Sequence, residues 1–155
     1  MEITDLISYD SIEPNLRASS KKQLLQEGSE IAAKLTDKEA HDIFNVLLER
    51  EKLGTTGVGH GVAIPHGKLD GIDKLYGIFI RLAQPIDFDS LDDQPVDLVF
   101  MLIAPENAGA DHLKALARIS RILRNKGLCE KLRGTEDADA IYAILTASET
   151  SSNAA

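Results

Sequence analysis

The chain has 155 residues, with 17 Lys and Arg against 25 Asp and Glu for a formal net charge of −8, and 43% apolar but 5% aromatic side chains. That apolar content at this length supplies a core without disulfides or a structural metal and excludes whole-chain disorder. The acidic balance and scarce rings speak against a nucleic-acid binder, which shows a basic face with stacking aromatics; one Cys and four His leave no CxxC pair and no HExxH.

The start, Met1-Glu2-Ile3-Thr4-Asp5, lacks the positive charge and apolar run of a signal peptide. The longest apolar run, Val96 to Ala104, falls short of the ~20 residues that span a bilayer. The expectation is a soluble cytoplasmic protein with no membrane insertion. Ser19 or Ser20 caps a first helix, with Leu24, Gly28, Ile31 and Leu35 along one stripe. Thr36 or Asp37 is expected to cap a second, in which Ala40, Ile43, Phe44, Leu47 and Leu48 keep helical spacing. It must end near Leu53, because Gly54, Gly57, Gly59 and Gly61 follow.

Strands are predicted at Val62 to Ile64, Leu75 to Leu82 and Val96 to Ala104. Helices are predicted from about Ala110 to Asn125, near Gly127 to Leu132, and from about Glu136 to Thr146. Residues 148–155 are small and polar and are expected to form a disordered tail, leaving 1–147 as one domain. This order points to an α/β fold, a mixed parallel and antiparallel central β-sheet flanked by α-helices. The run Asp87 to Asp93 lacks the Gly and Glu of a calcium loop and reads as a solvated turn. Cys129, without a second thiol, reads as inert packing, and His41 as a surface residue. Lys114, Arg118, Arg121 and Arg124 form the polar face of the third helix, a solvated face that could also meet an acidic partner.

Chemistry concentrates in Gly57-Val58-Gly59-His60-Gly61-Val62-Ala63-Ile64-Pro65-His66-Gly67-Lys68. Pro65 locks its own φ and biases Ile64 toward extended geometry, so His66 is delivered where the chain is stiff. Such a histidine can be a nucleophile, a general base, a metal ligand or a plain turn residue. Leu69 after Gly67-Lys68 breaks the Walker pattern, and Val62 stands where a dinucleotide loop needs its third Gly. Gly59, His60, Gly61 and Gly67 are therefore expected to let a docking partner approach His66, although His60 also reads as an exposed loop residue.

Helical phase adds two candidates. Arg50, seven after Ile43, continues the inward face of the second helix, and His112, four before Leu116 and seven before Ile119, begins the buried face of the third. Helix N-termini favour phosphate. A phosphoryl group on His66, clamped by Arg50 and hydrogen-bonded by His112, uses all three placements; the plain alternatives are a helix C-terminal cation and a core histidine.

The segment Glu51 to Gly67 resembles the phosphorylation signature of the type-2 EIIA proteins of the phosphoenolpyruvate-dependent phosphotransferase system, the fructose-mannitol and nitrogen family. The matching residues are Glu51 seven before Val58, Val58-Gly59, and Val62-Ala63-Ile64-Pro65-His66-Gly67. Ala18 to Lys22, Pro85 to Phe88, Pro95 to Phe100 and Ala104 to Lys114 look like the nitrogen-regulatory branch. The resemblance implies an EIIA type-2 sandwich, with no cofactor and no metal. It implies that His66 accepts a phosphoryl group on Nε2 from an HPr-like phosphocarrier (NPr), that Arg50 clamps that group and that His112 orients it. The output implied is regulatory, on targets such as sensor kinases or potassium transport proteins in nitrogen and potassium metabolism. A sugar-specific EIIA that passes phosphate to an EIIB, and a binding module indifferent to phosphorylation, are the competing readings. A metal-dependent hydrolase using His60, His66 and His112 comes last, because no carboxylate falls at ligand spacing.

Overall fold

A computed structural model describes residues 2–154. Among the described residues, six strands form one sheet: β1 (Ile12–Leu16), β2 (Gly57–Gly59), β3 (Val62–Ala63), β4 (His66–Leu69), β5 (Tyr76–Ile86) and β6 (Val96–Pro105). Five helices cover it: α1 (Lys21–Thr36), α2 (Ala40–Leu53), α3 (Ala110–Leu123), α4 (Lys126–Arg133) and α5 (Ala138–Ala154). The expected mixed sheet flanked by helices is what forms. No helix among the described residues is long and apolar enough to cross a membrane.

β6 is central because its apolar run is buried on both faces. It pairs antiparallel with β5, and β5 pairs parallel with β1. Its other edge is shared by two short parallel strands, β3 opposite Leu98 and Val99, and β4 opposite Leu102 to Pro105; β2 folds back antiparallel on β3. Alternation then divides the core. Leu98, Phe100 and Leu102 pack with Ala115, Ile119, Leu132 and Ile141 from α3, α4 and α5, whereas Val99, Met101 and Ile103 pack with Leu24, Ile43 and Leu47 from α1 and α2.

Ser20 caps α1 as expected, its Oγ accepting from Gln23 N at 3.1 Å. The start of α2 differs from expectation. Thr36 still belongs to α1, its hydroxyl donating to Ala32 O, and Asp37 closes that helix in the left-handed conformation (φ 59°), so α2 opens after Glu39. Asp tolerates this conformation better than most side chains, which makes it a C-terminal as well as an N-terminal signal. β1, β2 and β4 are additions to the expected strands. α5 also continues past Thr146, so the backbone of 148–154 is helical where a frayed tail was expected: neither Gly nor Pro interrupts 138–154. Ala155 of that tail lies outside the described residues.

Candidate functional site

The site begins at the break between β3 and β4. Ile64 and Pro65 interrupt the pairing, Pro65 O accepts from Leu102 N at 2.9 Å, and the ladder restarts with His66 opposite Leu102. Residues opposite each other share a face, so His66 joins Leu102 on the α3 side while Gly67 turns to the α2 side with Ile103. A Cβ on Gly67 would lie 2.3 Å from Val46 Cγ1. The glycine thus lets α2 sit close, and it is buried rather than open to a docking partner.

His66 Nδ1 lies 2.9 Å from Ile64 O. A carbonyl only accepts, so Nδ1 carries the hydrogen and the neutral ring keeps its lone pair on Nε2. Burial pushes the His66 pKa below its ordinary value; the bond to Ile64 opposes this, the Arg50 guanidinium adds to it, and the Glu51 carboxylate opposes it again. Lowered from about 6.5, this pKa favours the neutral ring near pH 7.

His112, the third residue of α3, meets His66 edge to face, with ring centroids 5.6 Å apart and planes inclined by 67°. It is 8% exposed, and its Nε2 is buried without a hydrogen-bond partner. Burial first, then the charges of His66 and Lys68, lower its pKa. An unsatisfied buried nitrogen costs about 1–3 kcal/mol, which suits a site shaped for a polar group that arrives later.

Arg50 is half-buried at the end of α2, close enough to depress His66, and its Nη1 donates to Gly54 O at 2.8 Å. The buried charge here is instead its neighbour Glu51, which stands four after Leu47 and eight after Ile43 on the same buried stripe of α2. Its carboxylate takes Lys21 Nζ at 2.7 Å, Thr56 N at 3.2 Å and the Thr56 hydroxyl. Lys21 also lies over the Phe88 ring, 4.7 Å from its centroid, and Thr55 Oγ1 donates to Phe88 O at 2.7 Å. This network joins the start of α1, the end of α2 and the glycine-rich segment.

The acidic run is accordingly more than a solvated turn. Phe88 and Ser90 are buried, and Asp92 Oδ2 accepts from His60 N at 2.9 Å, although Asp87, Asp89 and Asp93 do face water. Gly59 (φ 101°) leaves room for Asp92, and Gly61 (φ 80°) for Arg133, whose Nη2 would lie 2.4 Å from an added Cβ. Arg133 Nε donates to Asp97 at 2.8 Å and Nη2 to His60 O at 2.9 Å. Gly59, Gly61 and Gly67 therefore admit the protein's own side chains, and of the four expected docking residues His60 alone is exposed. Lys21, Thr56, Asp92 and Arg133 escape a sequence reading because their partners lie at sequence separations from 5 to 73. A buried acid at a helix end demanding a cation is the one usable signal. Cys129 behaves as expected: buried, its Sγ 3.2 Å from Leu123 O and its thiol pKa raised by burial.

Residues 5–148 match the family described as the phosphoenolpyruvate-dependent sugar phosphotransferase system, EIIA 2. The chain is 60% identical over 145 residues to a nitrogen regulatory protein of Bradyrhizobium diazoefficiens, covering 94% of this chain and 95% of that one. It is 36% identical over 150 residues to the nitrogen regulatory protein of Escherichia coli K12, covering 96% and 92%. The crystal structure of nitrogen regulatory protein IIA-Ntr from Neisseria meningitidis superposes with a TM-score of 0.88 at 38% identity, covering 93% of this chain and 99% of that one.

Proposed function

From the premise that this chain belongs to the EIIA type-2 family of the phosphoenolpyruvate-dependent phosphotransferase system, we propose that it is a regulatory phosphocarrier charged on His66 Nε2. The observation that carries this reading is the hydrogen bond from His66 Nδ1 to Ile64 O, which leaves the Nε2 lone pair free beside the unpartnered Nε2 of His112. The donor is an HPr-like phosphohistidine protein, the NPr of a nitrogen-type system. Its N–P bond breaks as the Nε2–P bond forms; the electron pair returns to the donor nitrogen, and the proton stays on His66 Nδ1, which goes on donating it to Ile64 O.

Phosphoryl transfer needs positioning and stabilisation of equatorial charge more than covalent help. Arg50, permanently charged and forked, holds the phosphoryl oxygens. His112, protonated on Nε2, donates to one of them, which satisfies its buried nitrogen. No metal or organic cofactor takes part. Exposed Leu113, next to His112, and exposed Leu53, three after Arg50, are the apolar contacts offered to the donor. The work is cytoplasmic, 1–147 acts as one unit, and the output is control of nitrogen- and potassium-related proteins, such as sensor kinases or potassium transporters, through contacts that change with the charge on His66.

The test is incubation with phosphoenolpyruvate, an EI-like enzyme and an HPr-like carrier, followed by intact-mass measurement. One acid-labile phosphoryl group is expected, absent in His66→Ala and acquired on the order of 10²-fold more slowly in Arg50→Ala. Normal labelling of His66→Ala overturns the reading. A sugar-type role is the second reading, favoured by the family's description as a sugar system. It predicts chase of the label onto a fructose- or mannitol-type EIIB.

A further inference from the structure

The charges are unevenly placed along the chain. Residues 110–133 hold seven of the 17 Lys and Arg but two of the 25 acids, a local excess of five positive charges in a chain of net −8. Between the end of α3, α4 and the β2–β3 hairpin lies a cleft of about 650 Å³, within the range of roughly 300–1,000 Å³ common for small-molecule sites. Val62, Ile64, Leu123 and Cys129, all buried, supply its apolar lining, and exposed Arg124 and Lys126 stand at its rim beside one acid, Glu130.

Neither His66 nor His112 lines this cleft. An inorganic anion would leave the apolar lining unused, and a neutral apolar molecule would leave the cations unused. A ligand that uses both has an apolar body and an anionic head. We propose that the cleft is a binding site for an amphipathic organic anion, an apolar body bearing a carboxylate, phosphate or sulfonate. The proposal does not rest on the phosphocarrier reading. The size of the cleft favours a small molecule, and the rim gives the charge complementarity.

The probe is 8-anilino-1-naphthalenesulfonate, an aromatic sulfonate whose fluorescence rises in apolar surroundings, titrated into the folded full-length protein. One saturable site is expected, weakened by salt. Arg124→Glu combined with Lys126→Glu is expected to weaken binding at least about tenfold, the equivalent of about 1.4 kcal/mol, while His66→Ala leaves it unchanged. Amide shifts in the unaltered protein should fall on 58–64 and 120–133, which decides the matter even if the double variant folds poorly. No saturable binding, affinity indifferent to the charge reversals in a folded variant, or shifts confined to α1 and α2 overturns the proposal.

Discussion

Removing the Glu51 carboxylate is predicted to be the costliest single truncation of a charged side chain near the site. In Glu51→Ala, Thr56 loses the acceptor for its buried N–H and for its hydroxyl, at about 1–3 kcal/mol for an unsatisfied buried donor. Lys21, with its side chain 20% exposed, loses the partner at 2.7 Å. Breaking a buried pair costs about 3–5 kcal/mol, but Lys21 keeps the Phe88 carbonyl and ring and some water, so the lower end applies. The two effects overlap, giving roughly 3–4 kcal/mol in all. Glu51→Gln keeps an acceptor for Thr56 and removes only the charge, so about 1–2 kcal/mol is expected. Urea unfolding followed by far-UV circular dichroism gives both values, with the slope unchanged. A Glu51→Ala protein within about 1 kcal/mol of the parent, or a Gln variant as damaged as the Ala variant, refutes the reasoning.

Gly67→Ala is expected to lose about 1–3 kcal/mol through overpacking against Val46, and Val46→Ala in the same chain should restore part of it in the same assay. The lowered pKa values of His66 and His112 fix the sign of a pH effect. Below the unfolded histidine value of about 6.5 the unfolded chain binds more protons than the folded one, so stability falls as pH drops from there through the folded values; proton-detected titration of both rings and unfolding at pH 5.5 against 7.5 check it. The rate of phosphoryl uptake should fall over the same interval, because protonation removes the Nε2 lone pair. Cys129, buried with its thiol pKa raised, should resist iodoacetamide at pH 7.5 in the folded protein and react once unfolded, as read by mass.

What was legible in the sequence was local. The stripe of α2, the Ser20 cap, the apolar run of β6 and the stiff Ile64-Pro65-His66 junction each announce themselves within one or two turns or strand lengths. Helical phase also located His112 correctly, on the face with Ala115, Ile119 and Leu123. At the end of α2 phase admits both Arg50, three after Leu47, and Glu51, four after it, because phase says which way a side chain leaves the helix, not which neighbour will neutralise it. Arg50 turns to a carbonyl four residues on, and Glu51 goes inside because Lys21 arrives from α1. β1 was missed because Ile-Glu-Pro-Asn-Leu carries a proline, acceptable only at the edge it occupies. β4 was missed because its four residues, His-Gly-Lys-Leu, have no strand signature of their own and pair only because β6 offers an edge. The glycines were read as space for a visitor; their neighbours Asp92, Arg133 and Val46 come from far along the chain.

The bare Cα of Gly67 has a consequence for tolerance. Residues 66 and 67 face opposite sides of the sheet, so the His66 ring and the seat of α2 are one peptide apart, and α2 carries Arg50 at its far end. The close approach of this glycine to Val46 thus helps to set the spacing between histidine and arginine. Any side chain at position 67 would thicken that shim and push α2, and Arg50 with it, away from β4, so this position should tolerate change poorly although it carries no side chain of its own.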